Sequence, residues 1–549
     1  MTTANTGIIS ADHCVKKTAA LLLALSFFLS SCVGNTSLWG QYLTPTPRGW
    51  VTNTPAPEVY FTSDPASDPP YPTVTPFPTF TPTPLANFIT REVSTQPTAE
   101  IAPSAPSDSI LYYAQSGDWL PAVARRFEVG VNEIKSPRPL SEQGFLDAGT
   151  LLIIPDRLDK TIQYTPALRI MPDSEVVFSA SAAGFDIEEY IRSAGGYLAS
   201  YREWLGTTAW TSGSKEIERL AYENSVNPRL LLALLDYEAR WVRGRPESQF
   251  RIDYPLGQEN YRNKGLFAQL SWGVSQLYDG YYRWRTGEIT HLTFKDGLSL
   301  RLDPTLNAGT VAVMTLFSRH HTLNEWLRIM DANSGFPAFY RDMFGDPWAR
   351  ADALGSFFPP GFQQPQFSLP FAPGSTWAYT GGPHSAWGTN EFGPLAAIDF
   401  APQNEKPGCF ITDQWVLAMA PGLVVRSENG IVIVDLDGDG SEQTGWNILY
   451  LHIANRDRVA LGQWVDQDGL IGHPSCEGGI ATGTHVHIAR KYNGEWILAN
   501  GPIPFVLDGW TVVSGDKPYL GKLVNGEKTI TADVYGQSWS LITREDNDN

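Results

Sequence analysis

The alternation of apolar and polar positions divides the chain into stretches of different character. An apolar run at 19–29 follows Lys16 and Lys17. It is too short to span a bilayer as a permanent helix, and its charged-then-apolar layout is that of an export signal. From 32 to 108 there is neither a helical nor a strand period. Segments such as TPTPRGWVTNTPAPE and YPTVTPFPTFTPTPL are rich in Pro and Thr, which removes backbone donors and favours extended conformers, so a disordered tether is expected. Residues 109–157 read as a small βααβ module. Leu111-Tyr112-Tyr113 is a short strand, and Asp118 is placed to cap a helix striped by Leu120, Val123, Ala124 and Phe127. A second short helix holds Val131 and Ile134, and a strand at 151–154 closes the unit.

Residues 158–204 are expected to be a linker with short helices. The region 205–350 has few strand signals and several amphipathic stretches. One helix is expected at 215–223. Asn227 caps the next, with Pro228 in the first turn where its missing N–H is harmless, and that helix runs through RLLLALLDYEARW. After a second linker at 351–365, residues 366–549 alternate in short runs broken by Gly, Pro and Asn-Gly. WVLAMAPGLVVRSENGIVIVDLDGDG, WNILYLHIA and HVHIARKYNGEWILA predict an antiparallel all-β domain. The fold class is therefore multidomain, with a small βααβ module, an α-helical middle domain and an all-β C-terminal domain.

At 549 residues the chain is too long for one core, and its 42% hydrophobic content is ample for several. The net charge of −18 excludes nucleic acid as the expected partner, since that binding rests on clustered Lys and Arg. Of the four cysteines, Cys14 lies in the export signal. Cys409 and Cys476 fall in the β-rich region, as one disulfide of an exported protein or as two buried thiols. Leu29-Ser30-Ser31-Cys32 resembles the lipobox of bacterial lipoproteins. That resemblance implies removal of residues 1–31, lipidation of Cys32 and a membrane-anchored protein of the bacterial cell surface or envelope.

Candidate chemistry gathers late in the chain. Only nine histidines occur, and His384, His452, His473, His485 and His487 lie within about a hundred residues of one another. His485 and His487 are two apart in a β-branched context, so both face the same side of a strand. With Asp399 they supply imidazoles and a carboxylate for a metal ion. Three protein ligands with one open position is the pattern of catalytic zinc.

Three segments resemble known families. The module at 109–157 resembles a LysM domain, most specifically in Ser116-Gly117-Asp118, although Trp119 stands where the family usually has Thr and the loop at 136–145 is long. The resemblance implies binding of N-acetylglucosamine-containing glycan through Gly117, Asp118 and Trp119. The helical middle is similar to the lytic-transglycosylase branch of the lysozyme-like superfamily, with Glu238 near a helix end, Gly273-Val274-Ser275-Gln276-Leu277, and a later helix opening at Asn307. This implies that Glu238 is a catalytic acid, its pKa raised by apolar surroundings; the alternative is a plain helix-end carboxylate. His320 and His321 are expected on a helix surface, where adjacent side chains diverge.

The C-terminal domain resembles M23 (LytM/lysostaphin-type) metallopeptidases through Gly-Gly-Pro-His384, Ala-Ile-Asp399, Tyr450-Leu-His452 and Gly483-Thr-His485-Val-His487. The resemblance implies zinc bound by His384, Asp399 and His487, with His485 and His452 as catalytic proton carriers acting on peptidoglycan peptides. Fourteen residues separate His384 from Asp399, which requires the chain to double back there; Glu391, inside the insert, is an alternative ligand. DLDGDGSE opens like a calcium loop, but its twelfth position is Trp446, so an acidic hairpin turn is expected. The combined expectation is a lipid-anchored, zinc-dependent cell-wall endopeptidase. Alternatives are glycan-strand cleavage through Glu238, or a non-catalytic wall-binding lipoprotein.

Overall fold

The computed structural model describes residues 108–388, 393–403 and 407–546. The export signal, Cys32, the tether up to Ser107, and Glu391 lie outside the described residues. Among the described residues no helix is long and apolar enough to cross a membrane.

Strands β1 (Ser109–Tyr113) and β2 (Leu151–Pro155) pair antiparallel around helix α1 (Leu120–Arg126), and the second expected helix is a single 3-10 turn at Val131–Glu133. Residues 158–204, expected as a linker, hold α2 (Ile187–Ala194) and place Ile170, Met171, Val176 and Ile191 in the core of the helical region. Their elements are too short to leave a readable period. Helix α3 (Gly213–Asn224) is capped by Ser212, whose side chain accepts from the Lys215 N–H. Asn227 accepts from the Arg229 N–H and opens α4 (Pro228–Ala239). Leu230 to Leu235 are all buried, so α4 is apolar on every side and sits centrally. The long helix α5 (Leu266–Thr286) packs against α6 (Ala308–Ser318).

The C-terminal part is built on a nine-stranded antiparallel sheet. Its strands are β3 (Thr376–Ser385), β4 (Leu395–Pro402), β5 (Gly422–Glu428), β6 (Ile431–Asp435), β7 (Trp446–Leu451), β8 (Trp464–Val465), β9 (Val486–Tyr492), β10 (Glu495–Trp496) and β11 (Leu541–Thr543). They are ordered β8-β5-β6-β7-β9-β4-β3-β11, with β10 paired to β9.

The period-2 alternation decides what each face does. Ile398, Phe400, Val432, Val434, Ile448, Tyr450, Val486 and Ile488 point into the core of the β domain. Ala397, Ile431, Ile433, Leu449, Leu451 and Ala489 point the other way and share a core with the helices. Each fully buried Val or Ile contributes about 2 kcal/mol, so both faces are tightly held. At the β9–β10 turn Arg285 pairs with Glu495, and Tyr281 donates to the same carboxylate.

Candidate metal centre

Asp399 and His487 are directly opposite each other in the β4–β9 register. They have the parity of Ala397 and Ala489, so both lie on the sheet face that the helical region covers. His384 reaches the same point from β3. The fourteen-residue gap closes because β3 and β4 form an antiparallel hairpin, pairing His384 with Ala397 and Gly381 with Asp399. The register shifts between Gly381 and His384, a bulge that re-aims the imidazole.

The three candidate ligand atoms converge. His384 Nε2 and His487 Nδ1 each lie 3.2 Å from Asp399 Oδ1 and 2.9 Å from each other. Bonds of about 2.0–2.1 Å at tetrahedral angles place neighbouring ligand atoms roughly 3.3 Å apart, so the spacing fits a zinc-sized ion. The outward nitrogens are fixed by backbone carbonyls. His384 Nδ1 donates to Gly382 O at 2.8 Å and His487 Nε2 to Ala386 O at 3.0 Å. Those bonds select the tautomers whose lone pairs face Asp399. Asp399 Oδ1 is buried without a hydrogen-bond partner, an orphan that a cation satisfies.

Two further imidazoles border the site. His485 Nε2 is 3.9 Å from Asp399 Oδ1, and its Nδ1 donates to Gly483 O. His452 follows β7 in the left-handed region, φ 68°, and donates from Nδ1 to Glu477 O; its ring centroid is 4.5 Å from that of His485, the planes inclined at 50°. Tyr450, one face over, packs in the β core, where its OH accepts from the Met419 N–H. Burial works against ionising Asp399, but His384 and His485 hold its carboxyl well below the usual range. Burial, reinforced by His485 and His487, pushes His452 down to about 3, so it is neutral at neutral pH.

Tyr519 was not legible from the sequence. Its ring stacks 4.1 Å from that of His384, and it exchanges backbone hydrogen bonds with Gly382 and Pro383. It lies more than a hundred positions from its partner, with no local motif to mark it. His473 is turned away from the site, against Trp415 and the Gln414 carbonyl. Cys409 and Cys476 are joined in a disulfide.

Other predicted site residues are placed elsewhere. Asp118 does not cap α1. It is buried and accepts from the Tyr112 hydroxyl, the Gln115 N–H and Arg126. The Trp119 indole N–H donates to Arg285 O, and a Cβ at Gly117 would collide with the Arg285 guanidinium. Gly117 and Trp119, expected at a glycan contact, meet Arg285 of α5, while Asp118 is held inside the module.

Glu238 stands at the end of α4, far from the sheet in sequence. His321 Nε2 lies 2.9 Å and His320 Nε2 3.3 Å from its Oε1, and Arg251 contacts Oε2 at 3.3 Å. Burial raises a lone carboxyl, but the two histidines reverse the sign and hold Glu238 at about 2. This overturns the expected raised pKa. It also corrects the placement of His320 and His321: α6 ends at Ser318, and the turn that follows lets adjacent imidazoles converge.

Residues 169–357 match the family model described as LasA, N-terminal domain. The chain is 24% identical over 352 residues to Protease LasA of Pseudomonas aeruginosa, covering 60% of this chain and 75% of that protein. It is 27% identical over 158 residues to the Beta-lytic metalloendopeptidase of Achromobacter lyticus, covering 28% of this chain and 39% of the relative. A solved structure titled as a novel M23 metalloprotease, Pseudoalterin, from the deep sea aligns with TM-score 0.25 at 22% identity, over 31% of this chain and 96% of that one. The proteins to which this chain is similar are peptidases of the M23 metallopeptidase type.

Proposed function

We propose that this chain is a zinc-dependent endopeptidase of bacterial peptidoglycan, exported and held at the cell envelope by a lipid on Cys32. The observation that carries the reading is the convergence of His384 Nε2, Asp399 Oδ1 and His487 Nδ1, with the outward nitrogens already bonded and Asp399 Oδ1 left without a partner. His384, Asp399 and His487 hold the ion. When bound, zinc supplies a Lewis acid that activates water and polarises a peptide carbonyl.

The chain's own residues do the rest. His452 Nδ1 is committed to Glu477 O, which leaves Nε2 as a neutral proton acceptor. His485 is held in the same way by Gly483 O and shares the proton traffic with the adjacent His452 ring. Buried surroundings keep bulk water from competing for these protons. The name of the Achromobacter relative, a metalloendopeptidase, supports the reaction class. A glycan-cleaving role for Glu238 is less well supported, because it needs a protonated carboxyl and this one is held ionised. Glycan docking by the 109–157 module belongs to the same proposal. With Gly117, Asp118 and Trp119 engaged within the chain, Tyr113, 57% exposed, offers the aromatic surface for it.

The test is digestion of purified cell wall, with the products identified by mass spectrometry. New free amino groups from the wild type and none from Asp399→Ala are expected. Anhydro or reducing sugar ends released equally by both proteins would overturn the peptidase assignment.

A further inference from the structure

We infer that the helical region carries a second divalent-metal site, for zinc or a cation of similar preference, formed by Glu238, His320 and His321. The three are drawn from two segments more than eighty residues apart and converge on one oxygen, Glu238 Oε1, at 2.9 and 3.3 Å. That spacing is again what tetrahedral coordination at about 2.0–2.1 Å requires. The imidazole centroids are 4.3 Å apart and inclined at 46°, so both Nε2 atoms point inward without stacking.

The surroundings suit a bound cation. Glu238 is buried, while the His321 side chain is 18% exposed, which leaves an approach from solvent and an open coordination position. Trp272 and Phe317 pack against His320 and supply an apolar wall. Both histidines follow the C-terminal end of α6, where unpaired carbonyls favour positive charge. Glu325 Oε2, which accepts from the Thr322 N–H and hydroxyl, lies 3.9 Å from His321 Nδ1 and adds negative charge beside the ring. One charge opposes the cation: Arg251. It contacts the other carboxylate oxygen, Oε2, and by holding that oxygen it turns Oε1 toward the histidines. A metal here would cross-link the end of α4 to the end of α6, outside the β domain, so its role is to fix the helical region.

The site is tested by cobalt titration of the metal-free full-length protein, following visible absorption and bound equivalents. The decisive background is Asp399→Ala with His487→Ala, which removes the first centre. That variant is expected to bind one cobalt per chain, and adding His321→Gln is expected to weaken binding at least a hundredfold. No binding in the double variant overturns the proposal, as does undiminished binding after His321→Gln. Circular dichroism of the triple variant checks the fold. If it does not fold, Glu238→Gln in the same background replaces His321→Gln, with the same expected loss. Because the count is made without the first centre, failure of the peptidase assignment leaves this result unaffected.

Discussion

Gly381 faces Asp399 across the β3–β4 register, and a Cβ at Gly381 would come 2.4 Å from Asp399 Oδ2. The carboxylate occupies the space that the missing side chain leaves. Gly381→Ala is therefore expected to push Asp399 out of line with His384 and His487 while the strands stay paired. Zinc affinity should fall roughly ten- to a hundredfold, the range found when an orienting partner of a metal ligand is lost. Competition with a chelator measures this. Wild-type affinity in the variant would mean that the carboxylate tolerates displacement.

Arg285 and Glu495 form a buried ion pair between α5 and β10, with N–O distances of 3.0 and 2.8 Å. Glu495→Ala leaves Arg285 with Asp173 as its remaining acidic partner, 2.9 Å away. A loss of about 3 kcal/mol is expected, as when one member of a buried pair is removed. Trp496, next to Glu495, packs in the helical core on the sheet face that also carries Asp399 and His487. Limited proteolysis should therefore cut the helical region faster in the variant, and bulky wall fragments should be hydrolysed faster than by the intact chain. Wild-type proteolytic resistance would show that the apolar core alone holds the two parts together.

The sequence made the proposed metal ligands readable because period-2 patterning places His485 and His487 on one face, and a Gly-Gly-Pro-His turn announces the partner strand. It did not show how His384 and Asp399 meet, since the hairpin that joins them depends on β3–β4 pairing. Tyr519 and the His320–His321 turn were illegible for a related reason. One contact spans more than a hundred residues, and the other depends on where α6 stops. The contacts of Gly117 and Trp119 were not legible because their partner, Arg285, lies in another part of the chain. The helical region was recognised as helical. Its lower boundary was not, because short elements such as α2 and single 3-10 turns carry too few residues for a period to register.

Asp435 gives a pH signature away from the metal centre. It is buried at the end of β6, and burial, together with the hydrogen bond to Asp437 and the nearby Asp439, raises it to about 6. A carboxyl whose folded pKa exceeds its unfolded value binds more protons in the native state. Stability from this group is therefore present below about pH 4 and is lost as pH rises toward 6. Asp435→Asn is expected to melt higher than the wild type at pH 7 and to match it at pH 4. Thermal melts at both values decide the matter, and a variant less stable at pH 7 would reverse the sign.

The disulfide between Cys409 and Cys476 closes a span of 67 residues. A loop of that length constrains the unfolded chain by about 4 kcal/mol in the chain-entropy model. The bond also ties together the two loops that set His452 and His485. Glu477, next to Cys476, accepts from His452, while Gly408, next to Cys409, accepts from the Thr484 N–H just ahead of His485. The proposed metal ligands, in contrast, sit on β3, β4 and β9 and are held by strand pairing. Replacing both cysteines with serine is thus expected to lower the melting temperature and reduce kcat while bound zinc stays at the wild-type level. Activity and metal content measured on the same preparation separate these effects. Loss of zinc in step with activity would mean that the loops, and not the strands, hold the ion in place.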